Sequence, residues 1–338
     1  MKVAILGAGA IGAYVGACLS RAGADVHLVA RGANLEALRR DGVRVQSARG
    51  DFVAHPPATD DPAEIGPVDH VVLGLKANAY AAAGPMVRPL LHATTSVVAA
   101  QNGIPWWYFH GLGGPYAGRR IEAVDPDGTV SAALPPGRAI GCVVYAATEL
   151  AAPGVVRHVE GTRFSVGEPD GSASARCAEF AAAMQAGGLR CPVEPDIRND
   201  IWVKLMGNIS FNPISALTRA TMAGICRHDG ARELVRSMME ETLLVARCLG
   251  ADPAVSVDRR LAGAERVGEH KTSTLQDLER GRPLELDVLL HAVVELAELT
   301  ETDVPVLRAV AALTDLLDRS LAPGDVPPAA SSAGAGVA

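Results

Sequence analysis

Three polar side chains, each four residues after the last, offer the clearest chemistry in this sequence. Lys204, Asn208 and Asn212 lie in the stretch 200–217, where most neighbouring side chains are large and apolar. At 3.6 residues per turn they form one stripe along a helix. A lysine in such surroundings loses hydration, which lowers its pKa and suits it to proton transfer. The alternative is a half-exposed helix whose polar stripe faces water.

Pro213 lies in the same stretch and predicts a kink in this helix. Proline has no N–H to donate to the carbonyl of Ile209. We therefore expect a free backbone acceptor about one turn beyond Lys204.

The N-terminus predicts a site for a dinucleotide cofactor. An apolar run over 2–6 leads directly into a glycine motif, and a helical pattern follows to Ala22. The motif consists of Gly7, Ala8, Gly9, Ala10, Ile11 and Gly12. In this setting its glycines permit a tight turn, close approach of a pyrophosphate and close helix packing, and the helix N-terminus attracts phosphate. The alternative is a glycine-rich turn that binds nothing.

Arg31 indicates which dinucleotide is preferred. The second strand, 25–29, is followed by Ala30 and Arg31, where NAD-specific folds place an acid on the ribose. The planar arginine fork suits a phosphate and stacks on adenine. We therefore predict NADP(H) as the cofactor. The alternative is a surface arginine in a loop.

Lys76 and Asn102 follow two further predicted strands, 69–75 and 96–100. In a doubly wound sheet, ligands bind beyond the carboxyl ends of the strands. Both residues are therefore expected at the same crevice as the glycine motif. Taken singly, each is also compatible with a helix cap or a solvated loop.

From about Pro195 the pattern is helical, and two further residues are candidates there. Ser273 with Gln276 fits a capping box, and a helix N-terminus with a free hydroxyl also suits a carboxylate. Glu285 stands in the first turn of a predicted helix over 284–299, where the helix dipole alone explains an acid.

Length and composition set the architecture. The 338 residues suffice for two cores, and we predict an α/β fold: a Rossmann-type domain over 1–194, with a last strand at 189–193, and an all-helical domain over 195–322. Residues 323–338 are Pro, Ala, Ser and Gly rich and predicted to be disordered.

Charge and cysteine usage exclude several classes of protein. The net charge of −7 argues against nucleic-acid binding, and no apolar run is long enough to cross a membrane. Six widely spaced cysteines without a Cys-x-x-Cys pair indicate free thiols of a cytoplasmic protein. No metal site is predicted.

An aromatic segment, Trp106, Trp107, Tyr108 and Phe109, follows Asn102 closely. We expect that four consecutive aromatic residues in a loop do not all face one core. The segment is therefore predicted to line or cover the substrate pocket. The alternative is packing on its own domain or in a contact between two subunits.

Taken together, these motifs resemble the ketopantoate reductase (2-dehydropantoate 2-reductase) family over most of the chain. The most specific of them is Trp202-x-Lys204-x-x-x-Asn208-x-x-x-Asn212-Pro213. The resemblance implies that Lys204 is the general acid and that Asn208, Asn212 and Ser273 hold the keto acid. It also implies that Lys76, Asn102 and Glu285 position cofactor and substrate, with Glu285 in a catalytic role.

The activity implied by this resemblance is NADPH-dependent reduction of ketopantoate to pantoate, with a small-molecule 2-keto acid as partner. Two departures, His270 and a long 104–118 segment, bear on the substrate. Three alternatives remain: a reductase of another branched or bulky 2-keto acid, a β-hydroxyacid or imine-type dehydrogenase, and a non-catalytic NADP(H) sensor. The sequence leaves open whether the chain forms a homodimer.

Overall fold

A computed structural model describes residues 1–321, and the predicted tail over 323–338 lies outside the described residues. The strands are β1 Lys2–Leu6, β2 Asp25–Val29, β3 Val43–Ser47, β4 Phe52–Ala54, β5 Ala58–Thr59, β6 His70–Leu73, β7 Ser96–Gln101, β8 Ala139–Val144, β9 Ala147–Ala152, β10 Val155–Glu160 and β11 Phe164–Gly167. The helices are α1 Ala10–Arg21, α2 Gly32–Asp41, α3 Tyr80–Val87, α4 Thr129–Ala133, α5 Ala175–Ala186, α6 Ile197–Thr218, α7 Met222–Arg227, α8 Asp229–Cys248, α9 Val257–Val267, α10 Ser273–Glu279, α11 Ala292–Leu299 and α12 Pro305–Leu321.

The main sheet has the order β11-β8-β7-β6-β1-β2-β5 and is parallel except for β11, which runs antiparallel to β8. Its central strands are short apolar runs because helices cover both faces. Leu6 at the end of β1 pairs with Val29 of β2 and Leu73 of β6. The register therefore brings the loops after these strands to one edge of the sheet, and the predicted fold class is confirmed.

A second sheet, in the order β4-β3-β10-β9, was not predicted. Strand β8 of the main sheet ends at Val144, and β9 of the second sheet begins only three residues later at Ala147. The predicted last strand at 189–193 is wrong. It forms only isolated bridges to β11 and its preceding residue, since Pro192 cannot donate to a ladder.

Helix α6 carries the polar stripe and is longer than its pattern suggested. The Asp196 side chain caps it by accepting from the N–H groups of Arg198 and Asn199. The helix continues beyond Pro213 and ends at Thr218. The next residue, Arg219, has a left-handed backbone with φ +62° and terminates it. The tertiary contacts of this helix, packed against α8, α10, α12 and β8, outweigh the cost of an internal proline.

The helical half departs from prediction at one point. The expected helix over 284–299 consists instead of a π-helical turn, Asp287–His291, followed by α11. None of the helices within residues 1–321 has the length and hydropathy of a membrane span. The domain boundary near residue 194 stays a proposal, supported by the start of α6 at Ile197.

One apolar cluster extends from the sheet into the helices. It includes Leu6, Leu73, Trp202, Met238 and Leu296, all buried. The helix bearing Lys204 is therefore built into the same core as the strands that carry the glycine motif.

Candidate active site

The three glycines of the motif have different structural roles, and one of them leaves space for a ligand next to the loop. Gly7 has φ +94°, and a Cβ there would lie 2.6 Å from Leu75 Cδ2. A Cβ on Gly12 would overlap the carbonyl oxygen of Gly7. At Gly9, by contrast, the nearest atom would be Gly74 O at 3.9 Å. Packing within the chain therefore explains Gly7 and Gly12, whereas a glycine at 9 leaves room for a ligand that approaches the backbone.

The surroundings of this loop fit the phosphates of a dinucleotide. Helix α1 begins at Ala10 without a side-chain cap, so its first N–H groups are available to an anion. A cleft of about 370 Å³ in front of it is lined by Gly7, Ala8 and Gly9 of the motif and by Arg31 and Met86. Arg31 is exposed, and among residues 1–321 its guanidinium donates only to the Met86 sulfur, at 3.0 Å. Asn34 fixes the loop by donating to Ala8 O at 2.8 Å.

The side chain of Lys204 extends from α6 to the end of β8. Its Nζ donates to Val144 O and lies 5.7 Å from the centre of the Tyr145 ring. Burial lowers the pKa of this lysine to about 8, and the negative charge of Asp200 opposes that shift. At that pKa the ammonium is protonated at neutral pH and able to release its proton.

The amides of α6 face a large cleft together with Lys204. The cleft has a volume of about 940 Å³, and its lining includes Asn102, Lys204, Asn208, Asn212, His270 and Ser273. Asn212 Nδ2 donates to Ser273 Oγ at 3.5 Å, which joins α6 to α10. The structure thus brings the predicted substrate residues into one space.

The capping box predicted at Ser273 is wrong. Thr272 caps α10, because its hydroxyl accepts from Leu275 N at 3.2 Å. The Ser273 hydroxyl has no capping bond to make, so it is available at the cleft.

Lys76 and Glu285 connect the two halves of the chain. Lys76 Nζ donates to Asp277 at 2.7 Å, and a Glu285 oxygen accepts from Ala77 N at 3.4 Å. Burial raises the pKa of Glu285, and the charge of Lys76 opposes that rise. The negative charge of Glu285 in turn raises the pKa of Lys204. Glu285 therefore acts on the cleft through its charge, whereas Lys76 is paired with Asp277 and is not among the residues that line this cleft.

Residues 3–171 match the family Ketopantoate reductase PanE/ApbA, and residues 196–318 match Ketopantoate reductase PanE/ApbA C terminal. The chain belongs to the ketopantoate reductase family. It is 52% identical over 314 residues to a 2-dehydropantoate 2-reductase of Mesorhizobium japonicum, an overlap of 93% of this chain and 96% of that protein. It is therefore an oxidoreductase of a family that uses a nicotinamide dinucleotide.

Solved structures agree with this assignment. The 2-dehydropantoate 2-reductase from Geobacter metallireducens GS-15 aligns with a TM-score of 0.82 and 31% identity, over 94% of this chain and 100% of that one. A D-mandelate dehydrogenase in a ternary structure with NADH and anilino(oxo)acetate aligns with a TM-score of 0.79 over 95% of this chain and 99% of that one. At 20% identity, the second likeness shows the fold alone.

The aromatic segment of this reductase is buried and does not cover the large cleft as predicted, but Trp107 lines a small cavity together with Asn102 and Lys204. Trp106, Trp107, Tyr108 and Phe109 are each at most 5% exposed and belong to one apolar cluster. Tyr108 accepts a hydrogen bond from Trp202 Nε1 of α6 at 2.8 Å. The expectation that one core could not hold all four aromatic side chains was wrong, because they pack against α6 as well as against their own domain.

Two groups around Lys204 were missed in the sequence. Asp200 accepts from Tyr145 OH at 2.9 Å and from Arg163 at 3.1 Å, one helical turn before Lys204. Its spacing of four residues from Lys204 was the available signal. Arg260 of α9 also lines the large cleft, and no spacing in the sequence connects it to α6.

Proposed function

We propose that this enzyme reduces ketopantoate to pantoate with NADPH, and that Lys204 is the general acid. The observation that carries the proposal is the position of Lys204, a lysine with its pKa lowered to about 8 at a cleft that it shares with Asn102, Asn208, Asn212 and Ser273. A 52% identical relative named 2-dehydropantoate 2-reductase supports the choice of substrate.

The chain's own groups account for the proton and for substrate orientation. NADPH, when bound, supplies the hydride that is accepted by the C2 ketone carbon. Negative charge then develops on the ketone oxygen, and the Lys204 ammonium stabilises it and donates the proton. The carbonyl of Val144 accepts a hydrogen bond from Lys204 Nζ and so fixes the direction of the ammonium. The amides hold the keto acid so that only one face is presented.

The preference for NADPH rests on Arg31. Arg31 precedes α2 at the end of β2, and within the described part of the chain its guanidinium has only a sulfur as side-chain partner, at 3.0 Å. A ribose 2′-phosphate offers that guanidinium a charge-assisted bidentate partner, which a ribose hydroxyl does not. Glu285 is proposed to position the reacting groups through its effect on Lys204. The free thiols, of which only Cys248 is exposed, support a cytoplasmic location.

The test is an assay of NADPH oxidation with ketopantoate and a panel of branched and bulky 2-keto acids, with the product identified. We expect the highest kcat/KM with ketopantoate and a much lower rate with NADH. A higher kcat/KM with another acid would assign the enzyme to that acid. Tight NADPH binding with no oxidation by any acid would indicate a sensor, and the proposed reaction would be wrong.

A further inference from the structure

Arg260 is a partly buried cation at the cleft that the reaction described above does not use. It extends from α9, and its Nε is buried with no hydrogen-bond partner among residues 1–321. Burial lowers the pKa of this guanidinium. A buried guanidinium without an anion is unfavourable, because desolvation is not offset by a bond. The structure therefore has an unused site for negative charge inside the cleft.

Gly207 shows where the guanidinium lies on α6. A Cβ added to Gly207 would overlap the Nη2 atom of Arg260 and lie 3.3 Å from its Cζ. Glycine in the interior of a helix destabilises it relative to alanine, so a glycine there calls for a reason. The reason in this chain is that Arg260 rests directly on the helix backbone at position 207.

This position lies beside the proposed acid. Residues three apart on a helix are neighbours, with their Cβ positions about 5–6 Å apart. Gly207 follows Lys204 by three residues, so the guanidinium packs on the turn of α6 that follows Lys204. In a 2-keto acid the carboxylate carbon is bonded directly to the ketone carbon. The charge of Arg260 also lowers the pKa of Lys204, so the two cations are near each other, as groups that bind a carboxylate and the neighbouring ketone oxygen would have to be.

The carboxylates that line the cleft already have partners of their own. Glu149 pairs with Arg157 at 2.9 Å, Glu269 with Arg227 at 2.6 Å, and Glu279 with Lys271 at 2.7 Å. Each of these acids lines the same cleft as Arg260. An anion for Arg260 must then come from a ligand.

We propose that Arg260 binds the carboxylate of the 2-keto acid and directs its ketone oxygen toward Lys204. The inference rests on the proposed function and deepens it, because it makes a free carboxylate next to the ketone a requirement of this site. The planar fork of arginine matches the two carboxylate oxygens. Asn212 of α6 and Ser273 of α10 line the same cleft and are left to bind the rest of the substrate.

The experiment compares ketopantoate with its methyl ester, which keeps the ketone and lacks the charge. Arg260→Gln should lower kcat/KM for the acid about ten- to a hundred-fold, the loss expected for one charge-assisted bond, mainly through KM. The value for the ester should stay within about two-fold of the wild type, and Arg260→Lys should recover part of the preference for the acid. Arg259→Gln, an exposed neighbour on α9, is the matched control and should change neither.

A second variant guards against misfolding. Gly207→Ala should displace the guanidinium, which is the flexible end of a side chain, and reproduce the selective loss for the acid while NADPH binding and thermal stability are kept. An equal loss for acid and ester, or no loss for the acid in Arg260→Gln, would overturn the role of Arg260 and leave the proposed reaction intact. A wild-type enzyme that reduces neither compound nor any other 2-keto acid would overturn both.

Discussion

Replacing Lys204 with methionine should remove most of the turnover and at the same time stabilise the fold. Methionine keeps a flexible apolar stem of similar length and removes the buried charge. The ammonium costs stability in the native state because burial lowers the pKa of this group from 10.5 to about 8. The buried ammonium of the general acid is thus expected to lower the free energy of unfolding of the native protein.

The size of the effect follows from that shift. At 1.36 kcal/mol per pKa unit, the lowered pKa of Lys204 corresponds to roughly 3 kcal/mol of destabilisation of the folded state at neutral pH. The lost hydrogen bond to Val144 O offsets part of this, so we expect a net gain of roughly 1–2 kcal/mol in the free energy of unfolding. Below a pH of about 8 the lysine is protonated in both the folded and the unfolded state, and the full cost is present. As pH rises from there toward 10.5, the folded state loses its proton first and the cost disappears.

The assay is urea unfolding of wild type and Lys204→Met at neutral pH and about two units higher, together with kcat at saturating substrate. The stability difference should shrink at the higher pH, and kcat should fall about 10²–10⁴-fold. Lys271→Met is the control for stability, because Lys271 is exposed and pairs with Glu279 at 2.7 Å, a contact expected to contribute little. A variant that is less stable at neutral pH, or that keeps near-full kcat, would refute this reasoning.

Three further substitutions test other parts of the structure. Arg31→Ala should weaken NADPH binding about ten- to a hundred-fold and leave NADH unchanged in binding titrations; equal weakening would exclude phosphate recognition. Thr272→Ala should cost about 1 kcal/mol of stability through the lost cap, whereas Ser273→Ala should raise KM for the keto acid without that cost; the reverse result would restore the capping role of Ser273. His291 bonds to two aspartates, chiefly Asp287, which raises its pKa, so its contribution to stability is complete below pH 6.5 and lost as pH rises through the raised value. Unfolding measurements on His291→Gln should show the larger loss at acidic pH, and a loss independent of pH would contradict this account.

The features predicted correctly are those whose cause is local in sequence. The glycine motif lies between a strand and a helix that are both encoded by adjacent residues. Spacing alone places Lys204, Asn208 and Asn212 on one face, since the helical repeat depends only on backbone geometry. Capping at Thr272 was missed because two hydroxyls stand side by side, and backbone conformation decides which one serves.

The features that were missed depend on contacts between distant parts of the chain. The burial of Trp106 to Phe109 required a wall from α6, about a hundred residues later. Arg260 reaches the cleft only because α9 packs beside α6 at Gly207. The residue pattern of neither helix predicts this contact between them. The π-helical turn before α11 was also missed, because its pattern of apolar residues is equally compatible with a regular α-helix.

The apolar cluster that joins sheet and helices limits how the cleft can open. Relative motion of two domains is the usual expectation only where their interface is small and polar. Here Trp202 of the helix that bears Lys204 lies in the same cluster as Leu6 and Leu73 of the sheet, so a wide hinge at α6 would expose that core to water. The outer wall of the cleft is joined to the same core, because Leu261 of α9 and Leu275 of α10 belong to that cluster. A core shared by the sheet, α6, α9 and α10 would keep the distance from Lys204 to the glycine motif nearly constant through the catalytic cycle.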